Sequence, residues 1–397
     1  MRPRAAAVAF AGVVLGVLFL TSGTGRSQSP IAALPSAAGA PTDNPSTPAR
    51  VALGRQLFWD PLLSGNKDVA CGTCHHPRFG YAEDRDLSIG VNGIGLGSRR
   101  RFSTGNTIPF VKRNSQTVLN VAFNGIDEAG RYTPASAPMF WDLRVVSLEQ
   151  QALEPIKSLE EMRGQAYPED QAIATVVARL AANTEYRKLF ADAFGSGPPV
   201  TADNLGKALA AFQRSLTATQ APFDRYMRGD SSAMSDSALR GMRRFERIGC
   251  ANCHNGPMFS DFKLHVLGVP DNSKLAVSDG GREGSYAFRT ASLRNLAFTA
   301  PYMHSGVFPS LEDVLEFYDD VRSRRGGGGG RRGRDGRLAR NPLVAREELD
   351  PLLQRLRGVD GDDPDLVAFL TALNDDTFDK SIPERVPSGL PVGGHMK

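Results

Sequence analysis

"CGTCHH", residues 71–76, sets two cysteines and two histidines in six positions, and "CANCH", residues 250–254, repeats the core of the pattern. Their reading decides the fold, because three kinds of chemistry use C-x-x-C. A zinc knuckle needs both pairs to converge on one ion from distant parts of the chain, and it leaves His75 and His254 without a purpose. A redox dithiol goes with a single C-x-x-C beside a parallel-strand pattern, which neither copy has. In C-x-x-C-H the two thiols reach the two vinyl groups on one edge of a porphyrin, and the adjacent histidine swings under the ring to ligate iron. Cys71, Cys74, Cys250 and Cys253 then attach two covalently bound haem c groups, with His75 and His254 as proximal ligands. All four cysteines are consumed, so no disulfide is expected. His76, beside a ligand, is expected off the iron, either packed near it or at the surface.

Each copy has a similar approach, "VALGRQLFWDPLLSGNKDVACGTCH" and "SALRGMRRFERIGCANCH". Leu53, Leu57 and Phe58, and again Leu239, Met242 and Phe245, recur at helical spacing, so a helix leads into each anchor. Between them, "PEDQAIATVVARLAANTEYRKLFADAFG" reads as one helix from Pro168 to Gly195, with Ile173, Val176, Val177 and Leu180 on one face. Leu205, Leu209, Phe212 and Leu216 give the next helix, "APFDRYMRGDSSAMS" reads as a linker, and "DPDLVAFLTAL" as a last short helix. Strand signals are few. The expected fold is mainly α: two cytochrome c-like haem domains with long loops, at 45–220 and 221–385.

At 397 residues, with 41% hydrophobic content, the chain is long enough to bury a core in each of two domains. Arg2 and Arg4, an apolar run from Ala5 to Leu20, and small polar residues after it have the pattern of a secretory signal over residues 1–28. The run is shorter than the roughly 20 residues that cross a bilayer, so no membrane span is expected after cleavage, and the expected compartment is the periplasm. The formal charge is +4, and loss of Arg2, Arg4 and Arg26 with the leader leaves +1. That gives nucleic-acid binding no support. Positive charge gathers instead in "RSRRGGGGGRRGRDGRLAR", residues 322–340, with eight arginines against Asp335. Five successive glycines make it a loop, either a solvated spacer or a docking patch for an acidic partner. "GVNGIGLGSRRR" lacks the flanking strand and helix of a phosphate loop and reads as plain loop.

"RNSQTVLNVAF", "FWDLRVVSLEQQALEPIKSLEEM", "FDRYMRGD", "CHNGPMFSDFKLHVLGV" and "FRTASLRNLAFTAPYMHSGVFPSLEDVLEFY" resemble, in order, the motifs of the bacterial di-haem cytochrome c peroxidase and MauG superfamily. The likeness runs from about residue 48 to 376. It implies that peroxide reacts at the N-terminal haem while the C-terminal haem supplies or stores oxidising equivalents. It makes Glu161 and Gln151 the distal-pocket residues over the first haem, which suits the chemistry, since O–O cleavage needs a base to move the peroxide proton. It makes Trp141 the charge relay between the haems, although Leu143 stands where the family usually has glycine. In cytochrome-oxidising members a methionine lies about 14 residues beyond the "PYFH"-like segment. The same count from His304 reaches Tyr318, as in the MauG-like branch, with Met303 and Met258 as rival ligands. A phenolate favours oxidised iron and a thioether favours the ferrous state. The loop histidine that blocks the first haem in many cytochrome-oxidising peroxidases is missing between His76 and Asn114. The resemblance also implies a calcium ion, held by Asn114 and the backbone oxygens of Thr299 and Pro301. His265 and His304 fall in family motifs without a ligand role, and His395 is expected in a frayed tail.

The leading expectation is an exported enzyme that uses hydrogen peroxide to reach a high-valent di-haem state and then oxidises a side chain of a partner protein by long-range electron transfer. MauG and the MauG-like enzyme of methanobactin gene clusters are matched equally well. The first alternative is a peroxidase that draws electrons from a small cytochrome or cupredoxin. The second is a non-catalytic di-haem electron carrier.

Overall fold

A computed structural model describes residues 30–397 except 196, 198 and 323–339. The leader expected at 1–28 therefore lies outside the described residues, as does all of the arginine-rich segment but its two ends.

The first core is built by α1 (Pro48–Trp59), which leads to the short anchor helix α2 (Cys71–Cys74), and later by α5 (Ala172–Ala182), α6 (Thr184–Phe194) and α7 (Ala202–Ser215). Between these lie two short helices, α3 (Leu148–Gln151) and α4 (Glu154–Lys157). Thr47 caps α1 and Pro48 opens it, a position where a missing N–H costs nothing. Leu53, Leu57, Phe58 and Trp59 pack with Leu205, Leu209 and Phe212. The second core uses α8 (Pro222–Met227), α9 (Asp236–Ile248), α10 (Leu311–Arg322) and α11 (Pro364–Thr371). Phe223, Phe245, Phe259 and Phe369 form its edge-to-face aromatic centre, with ring centroids 5.1 to 6.0 Å apart.

One packing device is used twice. A Cβ on Gly54 of α1 would fall 2.0 Å from the Ala208 carbonyl oxygen of α7, and one on Gly241 of α9 would fall 1.9 Å from that of Asp365 on α11. Each anchor-leading helix thus crosses its partner backbone to backbone, four residues before its core phenylalanine.

Three expectations are corrected. The segment read as one helix from 168 to 195 is two, because Asn183 leaves the helical conformation and its side chain accepts from the Tyr186 N–H to cap α6. The supposed linker contains α8, with Phe223 and Asp224 fully buried and Asp224 paired to Arg294 at 2.6 Å. The chain end is tied down rather than frayed: the His395 N–H donates to Asp68, and its carbonyl accepts from Gly95 and from Arg100.

The chain ends also cross over. Ile31 joins the second core, while Phe378 and Val386 join the first. Among the described residues, strands are limited to three antiparallel pairs of two residues each: β1 (Gly93–Ile94) with β2 (Arg101–Phe102), β3 (Pro138–Met139) with β4 (Val145–Val146), and β5 (Leu264–His265) with β6 (Phe288–Arg289). The β3–β4 turn carries Trp141, whose carbonyl accepts from the Arg289 N–H at 2.6 Å and so joins the two halves. No helix of the described residues is long and apolar enough to cross a membrane.

Candidate functional site

Both C-x-x-C-H sequences open onto one connected cavity of about 680 Å³, lined largely by apolar side chains. The four cysteines are unpaired. Burial pushes the Cys71 and Cys250 thiols up to about 12, which argues against a reactive dithiol. His75 Nδ1 lies 3.1 Å from the Tyr81 carbonyl and 3.3 Å from Ser115 Oγ, and His254 Nδ1 lies 2.9 Å from the Phe259 carbonyl. Donation from Nδ1 leaves Nε2 as the lone-pair nitrogen, the form that ligates a metal. Burial lowers both histidines below their ordinary value, which keeps the rings neutral. Free thiols, neutral histidines with Nε2 available and an apolar cavity fit two covalent haems. His76 is buried, sits edge-on to Trp59 and accepts from the Arg78 N–H, which is the packed position and not the surface one.

Glu161 stands on a π-helical turn, Leu159–Arg163, and lines the cavity together with Gln151 at the end of α3. The turn is gripped from outside: the Val91 N–H donates to the Glu161 carbonyl at 3.1 Å, and a Cβ on Gly90 would fall 2.2 Å from that same oxygen. Burial raises the Glu161 carboxyl to about 7, against the pull of Arg144. A carboxyl poised there can take and return a proton near neutral pH.

Trp141 also lines the cavity, its indole N–H donating to the Asn114 carbonyl at 3.0 Å. Its ring centroid is 6.4 Å from that of His304, which stacks on Phe288 at 3.5 Å. Leu143 adopts the left-handed conformation at φ +55, a region where glycine is at ease, and its carbonyl accepts from Arg282. Asn114, Thr299 and Pro301 all line this cavity. The Asn114 amide nitrogen is committed to the Arg85 and Asp86 carbonyls, which leaves Oδ1 as its atom for a cation.

Tyr318 on α10 lines the cavity beside Cys250 and Cys253. Among the described residues its hydroxyl has no hydrogen-bond partner, and burial holds the phenol well above its ordinary value. Met303 packs in the same cluster as Tyr318, whereas Met258 is buried in a separate cluster with Phe262 and Ile126; both line the cavity.

Two groups escaped the sequence reading. Arg113 makes a two-pronged ion pair with Asp279, at 2.5 and 3.0 Å, while its Nη1 lies 2.8 Å from Asp142, next to Trp141. Asp261 and Asp350 hold His265 between them. The Asp261 and His265 pair is four residues apart, a spacing in "SDFKLH" that could have flagged it; the partners Asp279 and Asp350 are remote in sequence and left no local signal.

Residues 48–232 match the family of di-haem cytochrome c peroxidases. The chain is 33% identical to cytochrome-c peroxidase IdrP1 of Pseudomonas sp. (strain SCT), across 91% of this chain and 90% of that one. It is 36% identical to the methylamine utilization protein MauG of Methylorubrum extorquens, across 75% and 78%. Among solved structures it resembles a MauG-like protein associated with microbial copper homeostasis, with a TM-score of 0.64, 25% identity and coverage of 86% of this chain and 95% of that one.

Proposed function

The chain belongs to the family of di-haem cytochrome c peroxidases and MauG, haem-dependent oxidoreductases, and we propose that it is an exported enzyme of the MauG-like kind, which reacts with hydrogen peroxide and oxidises a side chain of a partner protein at a distance. Cys71, Cys74 and His75 would hold the first haem, and Cys250, Cys253, His254 and Tyr318 the second. Bound haem supplies the reaction with peroxide and holds the oxidising equivalents. Glu161 takes the peroxide proton at its carboxylate and returns it to the leaving oxygen. Gln151 orients the peroxide through its amide. Trp141 passes charge between the halves, held in place by the Asn114 carbonyl. A calcium ion at Asn114, Thr299 and Pro301 would stiffen this junction.

The observation that carries the MauG-like reading is Tyr318, whose hydroxyl has no hydrogen-bond partner among the described residues, in the cavity beside the second pair of cysteines. Tyr318 would serve the second haem as a phenolate ligand, which would favour ferric over ferrous iron there. Electron paramagnetic resonance and optical spectra of the diferric protein, before and after one equivalent of peroxide, test it. One high-spin and one low-spin haem, with immediate loss of both ferric signals, is the expected result; two low-spin haems inert to peroxide until reduction would refute it. Replacing Tyr318 with Met should raise the potential of one haem and make peroxide reactivity depend on prior reduction. A second reading, peroxide reduction with electrons from a small cytochrome or cupredoxin, is favoured by the likeness to a cytochrome-c peroxidase over nine-tenths of the chain. Steady turnover with such a donor, and no oxidation of any protein side chain, would establish it.

A further inference from the structure

Both ring nitrogens of His265 face carboxylate oxygens: Nδ1 lies 2.6 Å from Asp350 Oδ2, and Nε2 lies 3.0 Å from Asp261 Oδ2. An ionised carboxylate only accepts, and a neutral imidazole carries a single N–H, so the ring must be an imidazolium to satisfy both. Its hydrogen bonds, first of all the one to Asp261, hold it above its ordinary value. The three side chains together carry one net negative charge, in a place where His265 is 7% exposed.

The location gives that charge its meaning. Cys253 Sγ, an Asp261 oxygen and a His265 nitrogen lie within 4.8 Å of one another, and the Asp261 N–H donates to the Cys253 carbonyl at 2.8 Å. Asp350 closes the group from a distant part of the chain, its N–H bonded to the Val266 carbonyl at 2.9 Å. His265 and Asp350 both line the cavity. These atoms have the spacing of a metal site, yet the sulfur is committed to haem and both nitrogens to carboxylates, so the group supplies charge and not ligands. Charges of both signs act on Cys74, Glu83 and Glu161 against Arg85 and Arg100, and on Cys250, Asp363 against Arg244, while the clasp lies against Cys253.

We propose that the Asp261, His265 and Asp350 clasp sets the reduction potential of the second haem, its net negative charge beside the Cys253 attachment favouring ferric over ferrous iron. The proposal rests on the reading of Cys250, Cys253 and His254 as a haem anchor. Asp350→Asn keeps an oxygen to accept from Nδ1 and removes one charge, and Asp261→Asn does the same at Nε2. A purely structural clasp would survive both. The haem content of the unsubstituted protein comes first: fewer than two haems per chain would defeat the haem reading and the clasp with it. Potentiometric titration of the two-haem protein follows at pH 6, where the remaining carboxylate keeps the ring charged. The expected result is a positive shift of one midpoint, the same one in both variants, while the other holds. Two unchanged midpoints in both variants, or equal movement of both midpoints, would overturn the proposal while leaving the haem reading intact.

Discussion

In the first half His75 donates from Nδ1 to the carbonyl of Tyr81, which sits at φ +56; in the second, His254 does the same to Phe259, at φ +51. Large aromatics rarely adopt this left-handed conformation, and both here are fully buried, so packing holds each strained residue where its carbonyl aims the histidine. The halves share this device and the glycine crossing of the anchor-leading helix. They diverge in what surrounds the anchor. The first has Glu161, a carboxyl raised by burial and facing open cavity; the second has Tyr318, an unpartnered phenol, and a charged clasp. A common scaffold with different groups over it is what a division into a peroxide-binding haem and a partner haem requires.

The comparison is open to attack at several points. Glu161→Gln should slow the reaction with peroxide by roughly 100- to 10,000-fold in stopped-flow measurements, the usual worth of a general base. The unsubstituted protein should react faster as pH rises through about 7, because the carboxylate form accumulates above that value, and the variant should lose this limb. An unchanged rate would return Glu161 to an ordinary cavity-lining role. Next in size is a test of how each half buries its arginine. Arg294→Met strands Asp224, which is wholly buried, and should cost about 3–5 kcal/mol in denaturant titration. Arg100 instead donates to the carbonyls of Ile89, Gly90, Gly95 and His395, so Arg100→Met should cost less, about 1–3 kcal/mol. The reverse order would mean that the carbonyl clamp, not the ion pair, is the stronger tie. Smallest are Gly54→Ala and Gly241→Ala. Each drives a methyl into backbone and should cost roughly 1–3 kcal/mol, with closely similar losses of melting temperature if the two crossings are equivalent.

The two C-x-x-C-H sequences were legible because the pattern is local: the spacing of the thiols and the adjacent histidine is fixed within five residues. The helices leading to them were legible from apolar periodicity, as Leu53, Leu57 and Phe58 show. The break at Asn183 was not, because a capping asparagine inside an apolar period looks like any other polar position until its side chain turns back on the Tyr186 N–H. Nor was α8, whose buried Asp224 reads as surface in isolation and is tolerable only because Arg294 meets it from 70 residues away.

The sequence by itself determined that two C-x-x-C-H sequences exist, that helices lead into them, and, through resemblance, to which family the chain belongs. Tertiary structure alone decided that both anchors open on one cavity, that Arg113 and Asp279 join the halves beside Trp141, and that His265 is held charged between Asp261 and Asp350. The physical reason is range. Covalent attachment and helical period act over a few residues and leave a pattern in the chain, whereas burial and charge pairing depend on which distant segments meet, and that is settled only when the cores pack.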